Sequence, residues 1–357
     1  MKVVRIVLVN LLVLVAMLGT AEVVSRLAFP EFEGHVHSDS RTLGRKVWRA
    51  PLGEFPLRVP SPGHLPDLSK RVGIVLGDSI SQGYGTDYED IWWVQAARQY
   101  NVGRDRPITL FALAAYAASA ADSLARLEDA LSAGPIDLDL VLYQFNLNDV
   151  NPYDRASIQR ASAEGVAGTT WFNTLARWRY EHLNRSVFLR VVQHYGGQLA
   201  RNTSGSCESR GLDALGPYTW TYGSRALKDE AEREWKAFEQ RVEAMARASR
   251  SAGARFAILV SPLMFDIDPG GAHPHYNHLN LDFSCATIDP RQRLQALAAR
   301  LDTPLIDPAA HMRAGFEARL AEGNFTPFFF TADENHFTPT AARYVAEILA
   351  AAMRERL

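Results

Sequence analysis

Five apolar runs punctuate the middle and end of the chain, and the segments between them carry helical periodicity. Val72 to Leu76 is unbroken between Lys70-Arg71 and Gly77, the pattern of a parallel strand buried on both faces. Ile108–Leu113, Leu138–Phe145, Arg255–Val260 and the short Pro304–Asp307 repeat it. After the first run, Trp92, Trp93, Val94, Ala96 and Ala97 predict a helix lying on the sheet. After the second, Ser119 and Asp122 have capping-box spacing, Leu124, Leu127 and Leu131 supply the stripe, and Gly134-Pro135 ends it. Ala231, Trp235, Phe238, Val242 and Met245 form the most regular helical stripe, closed by Gly253. Asp289-Pro290 opens another helix as N-cap and first-turn proline, with Leu294, Leu297 and Leu301 on one face. Strands alternating with helices predict an α/β fold: a three-layer αβα sandwich around a five-stranded parallel sheet.

Three segments fall outside that alternation. Residues 1–29 begin with Lys2 and Arg5, then thirteen uncharged residues from Ile6 to Leu18. With Gly19-Thr20-Ala21 the run spans about 24 Å of helix, short of the roughly 30 Å of a bilayer core. It fits the apolar core of a signal peptide, with Gly19 and Ala21 as small residues at a cleavage site. It also fits an uncleaved signal-anchor, because Glu22 to Phe29 continues as an amphipathic helix, and this second alternative is preferred. Either way the remainder is expected outside the cytoplasm, periplasmic or extracellular, and in the preferred alternative the membrane is a partner through the N-terminal helix. Residues 30–70 hold Pro51, Pro56, Pro60, Pro62 and Pro66 with little periodicity and read as a proline-rich spacer. Residues 151–225 are a helical insertion in which Trp171, Phe172, Leu175 and Trp178 share helical spacing, as buried core or as a lid.

Composition changes this picture little. The chain has 357 residues, is 47% hydrophobic and 22% charged, and carries a formal charge of −2, which suits a globular fold and excludes nucleic acid as an expected partner. The two cysteines, Cys207 and Cys285, would form one disulfide in an exported protein or remain two thiols.

The candidate chemistry begins at Gly77-Asp78-Ser79, where the first strand runs into a turn. Open parallel sheets place their ligands at that edge. A serine hydroxyl needs a base to become a nucleophile, and histidine has a pKa suited to the task. Asp333-Glu334-Asn335-His336 offers a base with a carboxylate three residues before it, able to hold one tautomer. Asn146-Leu147-Asn148-Asp149 follows the third strand.

These blocks resemble those of the SGNH (GDSL-type) hydrolase family. Gly77-Asp78-Ser79 with Gly83 matches the first block, and Asn148-Asp149 matches the third, with Asn146 where the family has glycine. Asp333 to His336, followed by Thr338-Pro339 and a terminal helix, matches the last. The second block departs most, its glycine position falling at Ala117. The likeness runs from about Arg71 to the C-terminus, 71–357, and leaves 151–225 without a counterpart. It implies a flavodoxin-like strand order and a catalytic set of Ser79, Asp333 and His336. It also implies an oxyanion hole from the N–H of Ser79, the N–H of Ala117 and the side-chain amide of Asn148, with no cofactor and no metal.

The activity implied is hydrolysis of a small-molecule, glycan or lipid ester through an acyl-enzyme, such as an O-acetyl group in the cell envelope. An O-acyltransferase using the same residues, or a non-catalytic glycan-binding module, stays open on this sequence. His273, His275 and His278 near Asp266 and Asp268 are the other candidate, either a solvated loop or a metal site.

Overall fold

The computed structural model describes residues 2–29, 48–50, 57–61, 67–68, 70–116, 118–146, 149–150, 186–189, 191–192, 195, 219–223, 225–268, 283–324, 326–329 and 336–357. The core is a five-stranded sheet built from β3 (Val72–Gly77), β4 (Thr109–Ala114), β5 (Leu138–Phe145), β6 (Arg255–Val260) and β7 (Leu305–Ile306). An antiparallel ribbon, β1 (Trp48–Ala50) with β2 (Leu57–Val59), precedes it. The sheet order is β4-β3-β5-β6-β7 and every pairing is parallel. This is the flavodoxin-like order that the family likeness implied, and its direction reverses between β3 and β5.

The strands lie within a residue or so of the apolar runs. β5 and β6 coincide with theirs; β4 starts one residue late at Thr109, and β7 keeps only the middle pair of its run. Alternation inside each run divides the core into two layers. Val75, Leu110, Leu140, Leu142, Ala257 and Leu259 face one side. Helices α3 (Trp92–Asn101), α9 (Ala309–Ala321) and α10 (Pro339–Glu355) cover it through Trp92, Met312, Val345 and Leu349. Ile74, Leu76, Val141, Tyr143, Phe256 and Ile258 face the other side. There α4 (Ala120–Ser132), α6 (Lys228–Ser251) and α8 (Pro290–Arg300) pack through Leu127, Trp235, Phe238 and Leu294. The sandwich therefore has three layers.

Helix starts follow local chemistry. The Ser119–Asp122 capping box is complete, and Asp289 accepts the amides of Arg291 and Gln292 with Pro290 in the first turn. α6 buries Ala231, Trp235, Phe238, Val242 and Met245, the stripe read from the sequence. Inside the span read as spacer, Leu57, Arg58 and Val59 are buried against the domain.

Near the N-terminus, α1 (Lys2–Ala28) holds one segment, Val9–Ala28, long and apolar enough to cross a membrane by length and composition. Cys285 is disulfide-bonded; the chain's other cysteine, Cys207, lies outside the described residues. The Trp171 to Trp178 stripe also lies outside them.

Candidate active site

β3 ends at Gly77 and Ser79 begins α2 (Ser79–Gln82) at once, so the serine stands at the carboxyl edge beside the point where strand order reverses. The turn depends on two glycines with positive φ. A Cβ on Gly77 (φ +152) would lie 2.6 Å from both Gln144 Oε1 and Ser81 Oγ. Gly83 (φ 69) closes α2 in the left-handed region, where its N–H donates to Ile80 and Ser79 carbonyls. Asp78 is the N-cap: its Oδ1 accepts the Ile80 amide at 2.9 Å.

Neighbouring elements hold this short helix on several sides. The Ser81 hydroxyl donates to Gln144 Oε1 of β5 at 2.7 Å, and the Trp93 indole donates to Ser81 O at 2.7 Å. The Arg58 guanidinium, from β2, donates to the carbonyls of Gln82, of Gly83 at 2.8 Å and of Thr86 at 3.0 Å. Gln82 and Gly83 stand at the C-terminal end of α2, where carbonyls lack partners within the helix. Arg58 had no signature in the sequence, because a charge between two apolar residues reads as the exposed face of a strand.

Asn146, just past β5, joins the two strand ends. Its side-chain amide donates to Asp78 Oδ2 at 2.6 Å, and its backbone N–H donates to Asp149 Oδ2 at 2.7 Å. Asp149 N–H returns a bond to Asn146 O at 3.1 Å, so the two residues are tied to each other twice. Burial pushes the Asp149 carboxyl well above the ordinary carboxylate range, and the Asp78 charge adds to the effect.

His336 enters from the far end of the chain. Thr338 caps α10 through Ala341 N, donates its hydroxyl to Pro327 O at 2.7 Å, and receives support from Phe328 O on its N–H. Phe337 bridges Phe329. With Phe337 and Thr338 fixed, the imidazole is buried and its ring centroid lies 5.0 Å from that of Tyr84. Tyr84 in turn donates its N–H to Ser79 O at 3.0 Å and lies 6.0 Å, ring to ring, from exposed Tyr116. A small pocket is lined by Ile80, Gly83, Tyr84, Trp92, His336 and Phe337.

The structure thus sets His336 against Tyr84 and beside Ile80, both neighbours of Ser79 in the same turn. Ala117, Asn148 and Asp333 lie outside the described residues, as do His273, His275 and His278. Asp266, next to that histidine loop in sequence, accepts Leu263 N at 2.7 Å and Arg291 Nη1 at 2.5 Å. Among the described residues no group of three His, Cys, Asp or Glu side chains converges as a metal site.

No protein-family profile and no curated protein sequence matches the chain. Solved structures do resemble it at low identity. An acetyl xylan esterase, AlAXEase, is 16% identical over 79% of this chain and 98% of its own, with a TM-score of 0.40. TesA is 15% identical over 81% of this chain and 100% of its own, with a TM-score of 0.40. A member of the lipolytic G-D-S-L family from Veillonella parvula DSM 2008 is 14% identical over 80% and 100%, with a TM-score of 0.35. At such scores the likeness carries no inference about chemistry.

Proposed function

We propose that the protein is a serine esterase of the SGNH type, anchored in a membrane by α1 with the catalytic domain outside the cytoplasm. Ser79 Oγ attacks the ester carbonyl while His336 takes its proton, with Asp333 orienting the imidazole. The oxyanion of the tetrahedral intermediate is held by the Ser79 and Ala117 N–H groups and the Asn148 amide, each contributing about 3 kcal/mol in such sites. Collapse returns the proton from His336 to the leaving alcohol and leaves an acyl-serine. Water, deprotonated by His336, then releases the carboxylic acid and restores the hydroxyl. No cofactor enters the sequence of steps. The substrate class is an acyl ester of the cell envelope, on a glycan or a lipid.

One observation carries this: the His336 ring packs on Tyr84, whose own amide is bonded to the carbonyl of Ser79. Separate ends of the chain supply the two groups, and Ile80, beside Ser79, lines the same pocket as His336. The test is labelling with a fluorophosphonate probe. The wild type is expected to label and Ser79→Ala to lose the label, with His336→Ala slowed by orders of magnitude. Equal labelling of wild type and Ser79→Ala removes the proposal.

A further inference from the structure

α1 changes character at its end. From Val9 to Thr20 every side chain is exposed, whereas beyond Ala21 one face is packed and the other is not. The packed face is the polar one: Ser25 is buried, and Glu22 and Arg26 are half-buried. The open face at the same level is Val23, Val24 and Leu27, which are 58%, 56% and 80% exposed. A helix in water would bury the apolar face and expose the charges. The reverse arrangement is the one expected where lipid still surrounds the helix and protein covers its polar side.

The covering protein is the insertion. Glu22 Oε2 accepts the Ser186 hydroxyl at 2.7 Å and the Phe188 amide at 3.1 Å, and Oε1 accepts the Val187 amide at 3.1 Å. Backbone at 187–189 is helical, so these amides are first-turn donors without partners inside their own helix. A carboxylate at that position also complements the positive end of the helix dipole. Arg26 completes the site by donating Nε to Glu22 Oε1 at 2.9 Å. Past this cap, Tyr195 meets Phe29 with ring centroids 6.1 Å apart, and Val192 and Tyr195 are each about half exposed.

We infer that residues 186–189, 191, 192 and 195 of the insertion lie on the outer face of the bilayer, held there by Glu22, with Val192 and Tyr195 in the headgroup region. The occupant of this apolar patch is lipid, because the exposed Val23, Val24 and Leu27 bring the bilayer to the same level on the adjoining helix. Tyrosine suits that depth, having an apolar ring and a hydroxyl that reaches water. The inference rests on α1 remaining in the membrane, as proposed above. Its consequence is a second membrane contact beside α1, made by these residues.

The test uses the full chain in liposomes of phosphatidylethanolamine and phosphatidylglycerol containing brominated acyl chains. Cys285 is disulfide-bonded, so an introduced cysteine is the intended point of attachment for an environment-sensitive fluorophore. Dye on Val192→Cys is expected to be quenched several-fold more than dye on Val102→Cys, an exposed position at the end of α3. Adding Glu22→Ala is expected to bring quenching at position 192 down to the level at 102, with the thermal melt of the domain retained. Equal quenching at 192 and 102 without the Glu22 change overturns the inference while leaving the anchor intact. The mass of the membrane-extracted protein separates the two ideas: a mature chain starting at Glu22 removes the anchor, and the inference with it.

Discussion

The side-chain amide of Asn146 donates to Asp78 Oδ2 at 2.6 Å, tying the residue before the candidate nucleophile to the end of the neighbouring strand. Both residues are buried, so the bond is made away from water and involves a carboxylate. Asn146 occupies the position where the resembled family has glycine, and its side chain here has a structural use. Asn146→Ala is expected to destabilise the chain by about 2 kcal/mol, the usual range for a buried bond to a charged group. It should also lower the fluorophosphonate labelling rate by more than the loss of folded protein explains. Denaturant melts alongside labelling rates check this; an unchanged rate per folded molecule would confine Asn146 to stability.

Arg58 offers a second handle on the same turn. Its guanidinium serves carbonyls at Gln82, Gly83 and Thr86, and it is buried. Arg58→Met keeps much of the apolar stem and leaves those carbonyls without this donor. The expected cost is on the order of 3 kcal/mol, within the range for stranding buried polar groups. Arg58→Lys, with fewer donors and no planar fork, should recover only part of it. Chemical denaturation of the three proteins gives the answer, and full recovery by lysine would show that charge alone matters.

A pH dependence follows from Asp149. Burial raises its carboxyl pKa from the ordinary value of 3.8, so the folded chain holds a proton that the unfolded chain has released. The stability this group contributes is complete below the ordinary carboxylate pKa and is lost as pH rises toward the folded value. As pH rises above the ordinary carboxylate value, the melting temperature of the wild type should fall relative to that of Asp149→Asn, whose amide does not titrate. Parallel curves for the two proteins would mean that Asp149 is ionised in the fold.

Tyr84 packs between His336 and Tyr116, and both tyrosines are exposed, Tyr84 at 39% and Tyr116 at 53%. Tyr84→Ala removes the ring against which the imidazole packs, and it is expected to lower kcat/KM on a p-nitrophenyl ester about tenfold, or about 1.4 kcal/mol. Tyr84→Phe, which keeps the ring, should stay near the wild type. A matching loss in the phenylalanine variant would shift the role to the hydroxyl.

Within this chain, the local elements were legible and the contacts between them were not. Runs such as Leu138–Phe145 and Arg255–Val260 declare themselves because a strand buried on both faces excludes polar residues over its whole length. Ser119 with Asp122, and Asp289 with Pro290, declare helix starts because a cap is made within three residues of itself. Gly77 and Ser79 were readable for the same reason, since a strand, a glycine and a turn adjoin in the chain.

Arg58, Asn146 and Glu22 are a different matter. Each is a polar residue whose partner lies in a remote segment, and nothing in its own neighbourhood names that partner. A hydrogen bond needs atoms within about 3 Å of each other, and only the finished packing decides which distant groups come that close. The sequence determined the strands, the helices, their caps and the turn that presents Ser79. Folding decided that His336 meets Tyr84 and that Glu22 caps residues 186–188, because both depend on where the sheet and the anchor helix set their ends.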